Sequence, residues 1–291
     1  MPASAPRQPA ALGSEGVALP VLTADKLKTV RGVTLHRDPA REECFKVVQL
    51  HKELCDYDDM SEVSRRQRLH RHMHNEMQTL EIVAQGLADF PDAPWELRMQ
   101  LARQCWDESR HSAILYRRLR EMGGRKGEFP VMNYEWGVTQ LLDSMPARLA
   151  VQNRTFEGGE MDLLRQQHGM WSAAGDPETA ALMDALLADE VHHVRYANRW
   201  LKQMARENPR ILMQVAAGVQ LLQKVTAGLA PQPGEVNAVG VNLTEFTHVE
   251  VMTNVDDRRL AEFTEQELAE LLRKEGFGSL VAPSNEPAGA S

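Results

Sequence analysis

Two copies of an Asp-Glu-x-x-His motif carry the side chains of this sequence that are best suited to bind metal. They occupy residues 107–111 (DESRH) and 189–193 (DEVHH). In each copy the glutamate and the final histidine are three residues apart, so a helix would place both side chains on one face. Two such motifs are not expected by chance, which favours a shared metal-binding role.

Four apolar stripes with helical spacing each carry a glutamate near the middle. These are Glu76, Glu108, Glu157 and Glu190. An ionised carboxylate in an apolar interior is very costly unless it is paired or bound to a cation. Four glutamates meeting inside a bundle would repel one another, and two divalent cations would balance their four charges. The expected metal ligands are therefore Glu76, Glu108, His111, Glu157, Glu190 and His193.

Helices must position these residues, because apolar residues recur at spacings of three and four through most of the chain. Pro146 predicts a break in the third long helix, and Ser144 could cap its continuation. Asp176 is expected to cap the fourth. The long helices are expected at residues 61–88, 94–122, 137–168 and 177–207. Shorter helices are expected at 39–55, after Pro209, and from the Thr264–Glu267 capping box to Gly276, with weak strand signals at 30–35 and 249–252.

Loop lengths predict how the long helices are connected. Residues 90–93 leave only a tight turn, so the first two helices are expected to be antiparallel neighbours. Residues 123–136 could reach about 40 Å when extended, roughly the length of a 25-residue helix. The sequence therefore predicts an all-α fold of two antiparallel pairs linked by one crossover, with N- and C-terminal helical extensions.

Composition divides the chain into four parts. Residues 1–20 contain no basic segment followed by an apolar core, so they are expected to be a disordered leader and not a secretory signal. The bundle and its flanking helices are expected at 39–230. A passage rich in Pro, Gly and Asn begins a C-terminal extension at 231–281, expected to pack on the bundle, and 282–291 is expected to be a flexible tail.

The motifs resemble the ferritin-like superfamily of di-iron and di-manganese carboxylate proteins. More narrowly they resemble a bacterial branch with His-x-Glu, Glu-x-Arg-His and Asp-Glu-x-x-His motifs, over about residues 61–205. This sequence differs from that branch at Gly158 and Glu160. Because consecutive glycines weaken a straight helix, a local bulge is expected there, and Glu160 is the alternative to Glu157 as the third-helix ligand. The resemblance implies a ferritin-like four-helix bundle.

Other polar residues could support the ligands. Asp107 and Asp189 could each accept a hydrogen bond from a ligand histidine on a facing helix. Glu81, Glu160 and Tyr196 are further candidates, although a buried tyrosine more commonly fills a core. The run from His70 to His74 is interpreted as a solvated basic face, and His192 is expected to point away from the ligands.

Carboxylate and imidazole ligands suit redox-active iron or manganese better than magnesium or zinc. The leading hypothesis is a di-iron, or manganese–iron, oxidase or oxygenase that activates O₂ and oxidises a small organic substrate. Glu108 and Glu190 would bridge the metals, with the other four residues as terminal ligands. With only three cysteines the chain has no Cys₄ electron-entry site, so an external donor or reductase is expected.

Two alternative functions stay open. The same centre could be the ferroxidase of an iron storage or detoxification protein, although the extensions favour a pocket or a homodimer over a cage. A tRNA-modifying hydroxylase is the second alternative, which the formal net charge of −8 disfavours, as it does any nucleic-acid partner. No apolar run is long enough to cross a membrane, and a cytoplasmic location is expected.

Overall fold

The computed structural model describes residues 24–246 and 252–273 and shows an all-α helical bundle. The predicted all-α fold is therefore confirmed. The predicted leader at 1–20, the tail at 282–291 and the end of the last helix near Gly276 lie outside the described residues. None of the helices described here is both long enough and apolar enough to span a membrane.

Two helical pairs form the bundle. Helix α1 (Glu62–Asp89) packs along α2 (Trp95–Glu121), and five residues connect them. The third long segment is divided into α3 (Tyr134–Thr139), α4 (Met145–Val151), a π-helical turn (Gln152–Glu157) and α5 (Gly158–Ala173). Helix α5 packs along α6 (Pro177–Glu207), again after a short turn. Such short connections make each pair antiparallel, and residues 122–144 cross between the pairs.

The local signals account for most helix ends. Ser61 caps α1 by accepting a hydrogen bond from the Ser64 amide, and Asp176 caps α6 by accepting one from Thr179. Pro146 lies in the first turn of α4, after the predicted break. Ser144 is the residue before that helix, but its hydroxyl makes no capping hydrogen bond, so the predicted side-chain cap is wrong.

The C-terminal half adds α7 (Ile211–Leu229), α8 (Leu243–Phe246), α9 (Val255–Leu260) and α10 (Glu265–Arg273). Helix α7 packs on α4, and α9 packs on α5 and α6. Thr264 and Glu267 form the predicted capping box at the start of α10, each accepting from the backbone N–H of the other.

The predicted helix at residues 39–55 is wrong. This segment contains only a short strand, β3 (Val47–Val48), and one 3₁₀ turn (His51–Glu53). Its strand pairs in parallel with β4 (Val131–Met132) of the crossover. Gly127 of the crossover also packs closely on this segment, because a Cβ added to it would lie 2.1 Å from the Cys44 carbonyl oxygen. Pairing with the crossover therefore overrides the helical spacing. Upstream, β1 (Leu27–Val30) and β2 (Val33–His36) form a hairpin at the strand signal of 30–35.

A buried ion pair fastens α9 to α5. Arg258 donates to both oxygens of Asp162, at 3.0 and 2.7 Å, and to the Gly158 carbonyl at 2.6 Å. Both side chains are at most 3% exposed. Gly158 permits this approach, because an added Cβ would lie 3.2 Å from the guanidinium.

Arg258→Met is expected to lower the free energy of unfolding by about 3–5 kcal/mol, because it leaves the Asp162 charge buried without its partner. Arg259→Met is the matched control, since Arg259 is half exposed and its surface ion pairs contribute about 0–1 kcal/mol. Chemical denaturation of both variants measures the difference. Equal stabilities would contradict the structural role of this pair.

Candidate metal centre

The two Asp-Glu-x-x-His motifs lie in the middle of the bundle, on α2 and α6. Their glutamates and histidines are buried with Glu76 of α1 and Glu157 of the π-helical turn, and none of the six is more than 2% exposed. Apolar clusters lie on both sides along the bundle axis. One cluster includes Leu69, Met73, Leu115 and Leu186, and the other includes Val83, Leu101, Leu149 and Ala197. The acids thus form a polar layer between two apolar layers.

The six side chains make up two groups with two shared members. Within each group, one potential ligand atom per residue lies within 4.8 Å of every other. The first group contains Glu76, Glu108, His111 and Glu190, and the second contains Glu108, Glu157, Glu190 and His193. Each group could hold a cation, and Glu108 and Glu190 belong to both.

The shared glutamates divide their oxygens between the two histidines. Glu108 places Oε2 3.2 Å from Nδ1 of His111 and Oε1 3.4 Å from Nδ1 of His193. Glu190 places Oε1 3.5 Å from Nδ1 of His111 and Oε2 3.2 Å from Nδ1 of His193. Both imidazoles therefore direct Nδ1 at the carboxylates, and each shared carboxylate faces both groups.

The aspartates of the motifs hold the opposite nitrogen of each imidazole. Nε2 of His111 lies 3.2 Å from Asp189, and Nε2 of His193 lies 3.4 Å from Asp107. Each aspartate therefore contacts the histidine of the other motif, on the facing helix. With Nε2–H donating to an ionised aspartate, the Nδ1 lone pair of a neutral imidazole is free to bind a cation among the glutamates.

Charge pairing keeps both aspartates ionised. Burial would raise the pKa of Asp107, but hydrogen bonds from His193 and Arg103 hold that pKa below its ordinary value. Burial acts in the same direction on Asp189, and hydrogen bonds from Arg110 and His111 lower its pKa. Arg110 donates to both aspartates and so joins the two motifs.

Asp189→Asn is expected to weaken metal binding about 10- to 100-fold, the usual cost of losing the partner of a ligand histidine. The amide could accept from Nε2–H but carries no charge to raise the basicity of the imidazole. Asp184→Asn, an exposed position on the same helix, is the control. Titration with Co²⁺ gives both affinities, and an unchanged affinity in Asp189→Asn would show that this contact does not support the site.

Burial and mutual repulsion both act on the four glutamates. Burial raises the pKa of Glu108 and of Glu157 well above the ordinary value, and the nearby Glu190 raises both further. Burial would lower the pKa of His111, but hydrogen bonds to Glu108 and Glu76 raise it to about 12. Glu190 Oε1 is buried and accepts no hydrogen bond from any described residue. An oxygen-rich set with two imidazoles and a buried oxygen that accepts no hydrogen bond fits divalent cations.

The π-helical turn determines which third-helix acid faces the shared pair. It ends at Glu157, directly before the two glycines, in agreement with the predicted local bulge. Glu157 joins the second group, whereas Glu160 lies near His72 and Glu76 instead. The structure therefore places Glu157, and not its alternative, with the shared glutamates.

Two amide side chains donate hydrogen bonds to the Glu157 carboxylate. Gln104 donates to Glu157 Oε1 and, at 2.9 Å, to Glu108. Asn153 donates to Glu157 Oε2 at 3.0 Å. The hydroxyl of Tyr196 donates to the Gln104 carbonyl, which fixes the orientation of that amide. Tyr196 thus fills the core and also supports Glu157 through Gln104.

Comparison with known protein families matches residues 18–269 to the family model DUF455, described as a protein of unknown function. The chain belongs to the DUF455 family. Comparisons with curated proteins and with solved structures gave no significant match.

Two expectations about flanking residues are wrong for this DUF455 protein. Glu81 does not reach the acid groups, because its Oε1 pairs with Arg41 at 2.7 Å. The run from His70 to His74 is not a solvated face, because His70, His72 and His74 are at most 7% exposed. The 39–55 segment and the crossover cover this side of α1: Arg41 donates to His74, and the Gly127 amide donates to His70.

Three polar residues near the acids, of which His72 and Gln104 are buried and Glu135 is half-buried, were not predicted as their neighbours. His72 contacts Glu76 and Glu160, Gln104 contacts Glu108 and Glu157, and Glu135 of α3 lies close enough to the acids for burial and their charges to raise its pKa to about 8. His72 and Gln104 precede Glu76 and Glu108 by four residues each. That spacing places them on the ligand face, a signal that could have been used.

Proposed function

We propose that this DUF455 protein is a ferritin-like di-iron protein, with manganese–iron as the alternative pair, that activates O₂ and oxidises a small organic substrate. The proposal is carried by one observation: Glu108 and Glu190 each direct one oxygen toward each of two buried histidines. Carboxylates placed in this way can bridge two metal ions that lie a few ångströms apart.

The remaining residues would complete two positions. Glu76 and His111 would complete one, and Glu157 and His193 the other, so that each metal has carboxylate and imidazole ligands. Asp189 and Asp107 would hold the two imidazoles with Nδ1 directed inward. The bound metals would supply the redox chemistry for O₂ activation, for which iron and manganese suit this donor set.

A cavity of about 80 Å³, lined by both polar and apolar residues, lies beside α1, between that helix and the crossover. Asn75 and Glu135 are among its lining residues. Burial raises the pKa of Glu135 to about 8, and the charges of Glu160 and Glu76 contribute to the increase. Glu135 thus lines the cavity and is also close enough to these two acids to feel their charge. We assign the approach of a small polar substrate to this side. Electrons would come from the substrate or from an external donor, because the three cysteines are free.

Anaerobic loading with Fe²⁺ followed by exposure to O₂ tests this function. Wild-type protein is expected to bind iron and to consume O₂ as the iron is oxidised, and a Glu108→Ala variant is expected to do neither. Addition of a reductant should then allow repeated O₂ consumption without accumulation of ferric mineral. Protein that binds no iron would contradict the proposal. A large hollow assembly detected by size-exclusion chromatography, together with growth of ferric mineral inside it, would support the ferroxidase and storage alternative.

A further inference from the structure

Glu76 divides its two oxygens in the same way as the bridging glutamates. Its Oε2 lies 3.6 Å from Nδ1 of His111, whereas its Oε1 lies 2.9 Å from Nε2 of His72. Glu108 and Glu190 likewise face a different imidazole with each oxygen. Glu76 therefore has one oxygen in the first group of ligands and its other oxygen at a separate position next to His72.

A third acid completes that position. Glu160 Oε1 lies 2.9 Å from the same Nε2 of His72. His72, Glu76 and Glu160 offer ligand atoms that all lie within 4.8 Å of one another. Glu76 Oε1 is buried and lies close to Nε2 of His72 but accepts no hydrogen bond of good geometry from the described residues, so it keeps a lone pair for a cation at this position.

The described residues form no comparable position at the opposite end of the centre. Both oxygens of Glu157 accept hydrogen bonds from amides, one from Gln104 and one from Asn153. Glu157 belongs to a single group of possible ligands, whereas Glu76 belongs to two. Among the described residues, the Glu76 side is therefore the one at which the row of metal positions can extend.

Charge also favours a cation on this side. Two divalent ions would balance Glu76, Glu108, Glu157 and Glu190, but Glu160 and Glu135, both half-buried, add two more carboxylates close to Glu76. Arg71 is a cation whose charge acts on Glu135, but it forms its own ion pair with Asp56. A third divalent ion would offset this excess.

We propose that His72, Glu76 and Glu160 form a third binding site for a divalent transition-metal ion, next to the proposed two-metal centre and sharing Glu76 with it. The inference rests on the proposed centre only through that shared residue. The Glu160 side chain is 20% exposed, whereas the six residues of the centre are at most 2% exposed. The third site is therefore the one that exchanges metal with solvent most readily, and it binds more weakly than the other two.

Equilibrium dialysis against Co²⁺ with metal analysis tests the third site, because Co²⁺ binds the same ligands and is stable in air. Wild-type protein is expected to bind three equivalents, the last with lower affinity. Glu160→Gln and His72→Gln are each expected to bind two. The control Glu62→Gln, at an exposed position on α1, is expected to bind three.

The outcomes separate this inference from the proposed function. Two equivalents in wild-type protein, unchanged in Glu160→Gln, would overturn the third site and leave the two-metal centre standing, with His72 acting as an ion-pair partner of the two acids. No Co²⁺ in wild-type protein would overturn both. Anomalous diffraction from Co²⁺-soaked wild-type crystals provides a check that needs no variant: a peak bounded by His72, Glu76 and Glu160 is expected, and its absence at saturating Co²⁺ would contradict the site.

Discussion

Glu108→Ala protein is expected to lose metal from both positions of the centre at once. Glu108 belongs to both ligand groups, with its oxygens 3.2 and 3.4 Å from Nδ1 of His111 and His193. Losing the partner of a ligand already weakens binding about 10- to 100-fold, so loss of a bridging ligand is expected to cost more than about 100-fold at each position. Metal analysis after purification from iron-rich medium measures the loss.

Glu157→Ala provides the matched comparison. Glu157 belongs to one group only, so this variant is expected to lose the metal next to His193 and keep the one next to His111. Glu96→Gln, at an exposed position on the same helix as Glu108, should keep the full metal content. A Glu108→Ala protein that is folded by circular dichroism and keeps an equivalent that a further Glu160→Gln change does not remove would show that Glu108 is not a bridge.

Removal of metal by a chelator is expected to lower the melting temperature of wild-type protein substantially. A site occupied at metal concentrations about 1,000 times its dissociation constant stabilises the folded state by about 4 kcal/mol. At about 2 °C per kcal/mol for a chain of this size, each site contributes roughly 8 °C. Without the metals, four buried glutamates rely on protons and on His111 and His193 for compensation.

Calorimetry with and without chelator makes this measurement. Glu96→Gln should show the same decrease as the wild type. Glu108→Ala should show a much smaller decrease than the wild type, because it has no bridged metal to lose. Equal melting temperatures for wild-type protein with and without chelator would mean that the glutamates are stable without cations.

The sequence predicted the helices that carry the site because their signals are local. The observed bounds of α1, α2 and α6 differ from the predicted ones by at most one residue at each end. Ser61 and Asp176 begin α1 and α6 through side-chain hydrogen bonds to amides three residues later. The polar layer was predicted from glutamates that lie among apolar residues at helical spacing, and this pattern is also local in the sequence.

The predictions that failed did so because of contacts between residues that are far apart in the sequence. The 39–55 segment has helical spacing, but it pairs with the crossover through β3 and β4. That packing buries His70 and His74 by supplying Gly127 and Arg41 as their partners. Arg41 also draws Glu81 away from the acids. None of these contacts could be deduced from spacing along α1 alone.

The position of the third-helix ligand required the structure for a different reason. A straight helix through Asn153 and Glu160 would leave both Glu157 and Glu160 as candidates. The π-helical turn directs Glu157 toward Glu108 and Glu190 and leaves Glu160 beside His72. Gly158 and Gly159 indicated a bulge, but not which acid it would favour.

Anomalous diffraction from crystals of iron-loaded protein tests the central claim most directly. Two iron peaks are predicted a few ångströms apart, between Nδ1 of His111 and Nδ1 of His193, with Glu108 and Glu190 each contacting both peaks. A single peak, or peaks at which neither Glu108 nor Glu190 is a shared ligand, would contradict the two-metal centre.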